Sequence, residues 1–252
     1  MNLYGPDFEI KGVNHIIFDK DGTITDAHVY WSEIIRRRSK AICKVFDLPL
    51  DLYEAKLQVC MGLGFDGLLS PTGPIAIKSR YEVIQILINM LKLENILTNK
   101  DQIDQILISV HREFSSVSHK YIKPIDTCLA FIAQLSKVGI ALSLATSDSL
   151  ENTKTSLEML KLYTIFSPGI ACFDSGFGDK KNGEPARALC RMRGFSPSET
   201  ICIGDAPMDL LMSETASLKA CILVSTGQIP FVQLKSVTSF ACRSLSEILI
   251  SP

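Results

Sequence analysis

The sequence predicts an α/β protein: a doubly wound, Rossmann-like parallel sheet with an α-helical block inserted near its start. Three observations predict it. From Pro124 onward, helix-like and strand-like segments alternate, as crossover connections between parallel strands require. The strand-like segments are short and almost continuously apolar, which suits strands buried on both faces. Between Ala27 and Ser118, by contrast, apolar residues recur at helical spacing with hardly a strand among them.

The first strand is the apolar run at 16–18, which ends abruptly at Asp19-Lys20-Asp21-Gly22-Thr23. In the helical block, Tyr30, Ile34, Ile35, Ala41, Ile42, Val45 and Phe46 fall at helical spacing up to Pro49. Residues 52–61 give a second helix. Residues 61–74 hold four glycines and two prolines and read as a loop with wide backbone freedom. Helices are expected over 75–93 and 102–114. The alternation then runs helix 128–137, strand 140–145, helix 150–162, strand 169–173, helix 185–193, strand 200–203, helix 208–216 and strand 220–224. Residues 245–250 read as a closing short helix. The expected organisation is a core of residues 1–25 and 123–252 around a helical insertion of residues 26–122.

Composition narrows the partners. Apolar residues make up 46% of 252 and charged residues 21%, near globular averages, which argues against extensive disorder. A net charge of −1 supplies no global field for nucleic acid or a membrane surface, so neither is an expected partner. No basic stretch followed by an apolar run opens the sequence, and no apolar stretch reaches the ~18 residues of a membrane span. A cytoplasmic location is expected. Eight scattered cysteines with no C-x-x-C pair fit reduced core thiols, and with four histidines they show no zinc-ligand spacing.

A strand interior is hostile to Asp, so Asp19 and Asp21 belong at the carboxyl end of their strand, where ligands bind in open α/β sheets. Residues two apart in an extended chain share a face, so both can address one reacting centre. On that alternation Lys20 points away from them, toward a surface role. Alone, this stretch is explained by a solvated turn; other strand ends lift it above that. Strand 140–145 ends in Thr146-Ser147-Asp148, and strand 200–203 in Gly204-Asp205 with Asp209 four residues on. Lys180 and Lys181 stand in a loop ahead of Pro185. In a parallel sheet these ends face one edge, where residues 19, 21, 146, 180 and 205 can converge.

Carboxylates that share a small site need a cation, because like charges raise one another's pKa. Oxygen-only ligands favour Mg2+, which keeps water that a phosphate oxygen can replace. One carboxylate can then attack a phosphoryl group while a second protonates the leaving alkoxide and later activates water. A hydroxyl and a lysine suit the non-bridging oxygens.

On these motifs the chain resembles the haloacid dehalogenase superfamily of hydrolases. It is most similar to the phosphoglycolate-phosphatase-like group, with an α-helical (C1-type) cap after the first motif. Asp19-Lys20-Asp21-Gly22-Thr23, Thr146, the Lys180 region and Gly204-Asp205 with Asp209 stand in the family's order over nearly the whole length. The resemblance implies Asp19 as nucleophile and Mg2+ ligand, and Asp21 as general acid/base with its backbone carbonyl on the metal. It implies Thr146, Ser147 and Lys180 as phosphate-binding residues, and Asp205 and Asp209 as further metal residues. Ser147 stands where relatives often have Asn. Only one proline comes after the lysine pair, where the family usually shows more; the spacing to Pro185 and Asp205 favours Lys180 over Lys181.

In function, the resemblance implies an Mg2+-dependent phosphatase of a small phosphorylated metabolite, acting through an aspartyl-phosphate, as monomer or homodimer. Sugar phosphomutase and phosphonatase are alternatives within the superfamily, the latter needing a cap lysine such as Lys40, Lys44 or Lys56. A signalling receiver domain also gathers Asp, Thr and Lys at strand ends, but in a compact unit of ~120 residues. The remaining charges have plainer readings. Arg36-Arg37-Arg38 suits a solvated helix face, Lys78 and Arg80 are surface charges able to meet an anionic tail, and Trp31 suits the core of the insertion. His15, His28, His111 and His119 form no constellation.

Overall fold

In the computed structural model, which describes residues 1–75 and 77–251, two short strands precede the first core strand. These are β1 (Asn2–Gly5) and β2 (Phe8–Ile10), and the core strand is β3 (His15–Phe18). The chain forms two compact units, residues 27–123 and residues 1–26 with 124–252. Ala76, inside the helix expected over 75–93, and Pro252 lie outside the described residues.

The unit of residues 27–123 is helical. Its helices are α1 (Ala27–Val45), α2 (Leu50–Cys60), α3 (Arg80–Leu93) and α4 (Lys100–Ser115). They bury one apolar stripe each, including Ile35, Ile42, Leu57, Leu87, Leu91, Ile103 and Leu107, in a shared core. α3 starts later than the expected 75–93, because Ser79 and Glu82 close a capping box there. The segment 61–74 is tied down: Ser70 N donates to Gly62 O at 2.7 Å and Leu69 N to His28 Nδ1 at 3.0 Å. Lys78 and Arg80 pair with Glu82 and Asp104, at 3.6 and 2.8 Å. The arginine run is not a solvated face. Arg37 lies over the Phe114 ring and bonds Glu33, while Arg38 is buried on the stripe of Ile35 and Ile42. Arg38 Nε has no hydrogen-bond partner, and burial, aided by Arg80, pushes its pKa down to about 10.

After α5 (Asp126–Lys137), the other unit continues with β4 (Ala141–Ala145), α6 (Leu150–Met159), α7 (Tyr163–Phe166) and β5 (Ile170–Ala171). It is completed by α8 (Glu184–Arg193), β6 (Thr200–Gly204), α9 (Pro207–Thr215), β7 (Ala220–Val224), α10 (Phe231–Val237) and β8 (Ala241–Cys242). The strands form a six-stranded sheet in the order β5-β4-β3-β6-β7-β8, every neighbouring pair parallel. This is the Rossmann-like α/β core expected. Phe18 stands opposite Leu144 and Ile203, so Asp19 leaves the sheet at the same edge as the residues just past β4 and β6. Ile16, Phe18, Leu142, Leu144, Ile201 and Ile203 make the core with Phe131, Ile132 and Leu135 of α5.

Two expectations are corrected. The helix expected over 150–162 ends at Met159, just before Lys161 takes φ 57°, and α7 follows as a separate short helix that was not expected. Residues 245–250 are no helix: a short 3-10 turn, Leu245–Glu247, leads into strand β9 (Leu249–Ser251). β9 pairs antiparallel with β1, and β1 with β2, in a small separate sheet. All eight cysteines are free, and all but the half-buried Cys60 are buried. Among the described residues no helix is long and apolar enough to cross a membrane.

His15 braces the sheet at the end of β3 opposite Asp19. Its Nε2 meets Ser143 Oγ of β4 at 2.8 Å and its Nδ1 meets Thr200 Oγ1 of β6 at 3.2 Å. The Thr200 hydroxyl donates to Ser196 O, which leaves it to accept from Nδ1–H, so Nε2 accepts from Ser143. Burial, and then the nearby Arg193 charge, pushes the His15 pKa down to about 4. Below pH 6.5 the unfolded chain therefore binds a proton that the folded protein refuses, and stability falls as pH falls. Urea unfolding should lose about 2 kcal/mol between pH 7 and pH 5 from this residue, and His15→Gln should flatten that slope. An unchanged slope in His15→Gln would refute the assignment.

Candidate active site

The site is assembled from four turns that leave the sheet at one edge. The Asp19 amide donates to Ile203 O at 2.8 Å, fixing the residue beside β6. The chain then turns: the amides of Ile24 and Thr25 both donate to Lys20 O, at 2.8 and 2.9 Å. Gly22 takes φ 91°, and a Cβ there would overlap the Asp205 carboxylate, so only glycine lets this backbone lie against Asp205. α9 opens at Pro207 with Asp209 in its first turn; Asp209 Oδ2 accepts from Ala206 N at 3.2 Å, which turns Oδ1 inward.

Lys180 begins a short 3-10 turn, Lys180–Asn182, that docks on the end of α9. Gly183, at φ 71°, makes that docking possible, since a Cβ would lie 2.7 Å from Ala216 N. Arg187 Nη1 holds the same helix end through Thr215 O at 2.7 Å. Lys180 is thereby buried, its Nζ 2.5 Å from Asp19 Oδ1 and 2.7 Å from Asp209 Oδ1. Lys181 is instead 63% exposed, beside Asp179 at 3.7 Å.

Oxygens of Asp19, Asp205 and Asp209 lie within 4.8 Å of one another, all three residues buried. Three carboxylates against one ammonium leave two negative charges out of water. Burial raises the Asp19 pKa to about 7; Lys180 pulls it down, and Asp209 and Asp21 push it up. Burial, with Asp19 and Asp209, raises Asp205 well above the carboxylate range. A cluster of hard oxygen donors with this charge fits a divalent cation such as Mg2+.

Thr146 comes directly after β4; its amide donates to Ala171 O at 2.9 Å and its Oγ1 accepts from Asp148 N at 3.1 Å. Ser147 is exposed and bonds none of the described residues. The Asp21 side chain stands outside the carboxylate cluster: its Oδ1 accepts from Lys20 Nζ at 2.7 Å and from Thr25 Oγ1 at 2.9 Å. Lys20 overturns the expectation drawn from alternation. It is 1% exposed, not at the surface, and its Nζ reaches Asp21 and, at 3.1 Å, Asp148 Oδ2. The reason is the turn just after Lys20, which ends the extended geometry that alternation requires. Burial pushes the Asp148 pKa up, but Lys20 and the bonds from Asn152 and Ser149 more than offset this and hold it low.

Residues 16–223 match the family of haloacid dehalogenase-like hydrolases. The chain belongs to that family. Over 209 residues this hydrolase is 23% identical to a candidate pyrophosphatase, PpaX, of Clostridium perfringens, covering 83% of each chain. It also superposes on solved structures. One is a predicted phosphoglycolate phosphatase of Haemophilus somnus, with TM-score 0.71, 16% identity and coverage of 94% of this chain and 97% of that one. Another is a candidate β-phosphoglucomutase of Thermotoga maritima, with TM-score 0.65, 17% identity and coverage of 93% and 96%. At these identities the likeness is one of fold.

The hydrolase's carboxylate cluster makes its own pH signature. Without divalent cation, a folded Asp19 holding its proton up to about pH 7 stabilises the protein below that pH, and stability is lost as pH rises through it. In EDTA, stability should therefore rise as pH falls from 8 to 6.5; below that the gain from Asp19 runs against the loss from His15, so the His15 slope is read in Mg2+. Saturating Mg2+ should remove the rise. Urea midpoints with the same pH slope in EDTA and in Mg2+ would contradict this.

Proposed function

We propose that this hydrolase is an Mg2+-dependent phosphatase acting on a small phosphomonoester through a covalent aspartyl-phosphate, in the cytoplasm. The observation that carries the reading is the buried triad of Asp19, Asp205 and Asp209 with Lys180 set between two of its members. The name of the phosphoglycolate-phosphatase neighbour agrees with a phosphomonoester, and that of the pyrophosphatase relative with hydrolysis at phosphorus more broadly. Asp19, Asp205 and Asp209, with the backbone carbonyl of Asp21, would hold the cation. When bound, Mg2+ neutralises the carboxylates and withdraws charge from phosphoryl oxygens.

The chain's own groups then divide the work. Asp19 attacks phosphorus; its Oδ1 is engaged by Lys180, while Oδ2 has no partner among the described residues. The bond from phosphorus to the leaving oxygen breaks, and that oxygen takes the proton of Asp21, leaving as an alcohol. Asp21, now a carboxylate, takes a proton from water as the water oxygen attacks phosphorus, the Asp19–phosphorus bond breaks and inorganic phosphate departs. Lys180, Thr146 and Ser147 hold the non-bridging oxygens through the transition state. The helical unit of residues 27–123 acts as the cap that supplies specificity.

Phosphonatase chemistry is disfavoured because it needs a lysine amine that is neutral at working pH. Lys56 bonds Glu94 at 2.7 Å, which raises its pKa, and Lys40 and Lys44 are exposed. A panel of sugar phosphates, phosphoglycolate, pyrophosphate, nucleotides and amino-alcohol phosphates, assayed with Mg2+ for free phosphate, tests the proposal. Release of phosphate from none of them would refute it, and phosphoryl return to substrate without release would make the protein a mutase.

A further inference from the structure

We propose that Lys20 is a positioning residue that decides which oxygen of Asp21 carries the transferred proton. The proposal rests on the reading of Asp21 as acid/base. Asp21 Oδ1 is filled by two donors, Lys20 Nζ at 2.7 Å and Thr25 Oγ1 at 2.9 Å, whereas Oδ2 has no partner among the described residues. A carboxyl held in this way keeps its proton on Oδ2, because a proton on Oδ1 would face an ammonium group. Lys20 and Thr25 thus present one defined oxygen to the leaving group and keep the carboxyl plane from rotating.

Lys20 is itself held. Its Nζ lies 3.1 Å from Asp148 Oδ2, while Asp148 Oδ1 accepts from Ser149 N at 2.8 Å and Asn152 Nδ2 at 3.1 Å. Asp148 N donates in turn to Thr146 Oγ1 at 3.1 Å. One ammonium therefore ties the turn after β3 to the loop that carries Thr146. The distance between the proton donor and the phosphate-binding hydroxyl is set by this bridge. A buried lysine is costly unless it is paired, and this one has two carboxylates. A lysine with only a packing role would be replaced by methionine without effect on proton transfer.

The readout is the dependence of rate on the leaving group. In 4-nitrophenyl phosphate the leaving oxygen departs with little protonation; in phenyl phosphate it needs the proton of Asp21. With Mg2+ present, Lys20→Met should lower kcat on phenyl phosphate at least about tenfold more than on 4-nitrophenyl phosphate, with KM moving less than about twofold. Lys20→Arg should restore part of the loss. Thr25→Val, which removes the second donor from the same oxygen, should show the same selectivity in smaller measure, and it decides the matter if Lys20→Met fails to fold. Asp21→Asn marks the limiting pattern. Equal losses on both esters, or no loss on either, would overturn the proposal. Wild-type protein no more active than Asp19→Asn on either ester would instead overturn the phosphatase reading, and this proposal with it.

Discussion

Asp19→Asn is expected to abolish phosphate release, by a factor on the order of 10^4 or more, while leaving the protein folded. The substitution keeps the side chain's shape and an oxygen for Lys180, which now lies 2.5 Å from Asp19 Oδ1. It removes the only group in the cluster that the proposed mechanism uses as a nucleophile. It also removes one negative charge from three crowded, buried carboxylates, so the variant in EDTA should melt no lower than wild type. Phosphate assays beside thermal melts separate the two effects. Turnover retained within tenfold would remove Asp19 from the mechanism.

The second large effect is expected from Lys180→Met. Removing one partner of a buried ion pair typically costs 3–5 kcal/mol, because the other charge is left uncompensated. Here two carboxylates lose their ammonium at once, Asp19 and Asp209. In EDTA the melting temperature should fall by roughly 6–20 °C on the scale of ~2–4 °C per kcal/mol for a protein of this size. Mg2+ should recover more stability in the variant than in wild type, since the cation becomes the only positive charge in the cluster. Activity should stay lost even when Mg2+ restores the fold. Lys181→Met, at an exposed position, should change neither property. Equal behaviour of the two lysine variants would sever Lys180 from the site.

How far the sequence could be read depended on how local each signal was. Short, mostly apolar segments ending in Asp19, Thr146 and Gly204-Asp205 were legible because burial and the abrupt polar end sit side by side in the chain. The alternation of helix and strand then dictates parallel pairing, and with it the shared edge. β1, β2 and β9 were not legible. They are three or four residues long, too short for a period, and β1 finds its partner β9 at the other end of the sequence. The turn that buries Lys20 was equally hidden, since alternation holds only while the chain stays extended. Arg38 could have been found: it falls on the helical stripe through Ile35 and Ile42, and a charge on such a stripe points inward.

The unpaired cysteines give each part of the molecule its own clock. Thiolates, not thiols, react with alkylating reagents. Burial raises the pKa of Cys60 to about 11 and of Cys242 to about 12, and lifts Cys128 and Cys221 as well. Labelling of the seven buried thiols in the native state must therefore wait for local opening, while the half-buried Cys60 is slowed by its raised pKa. Cys43 and Cys60 report on residues 27–123, while Cys128, Cys172, Cys190, Cys202, Cys221 and Cys242 report on the sheet-bearing unit. Pulsed alkylation read by peptide mass would time the opening of the two units separately in the unmodified protein, and would show which of them a bound substrate quiets.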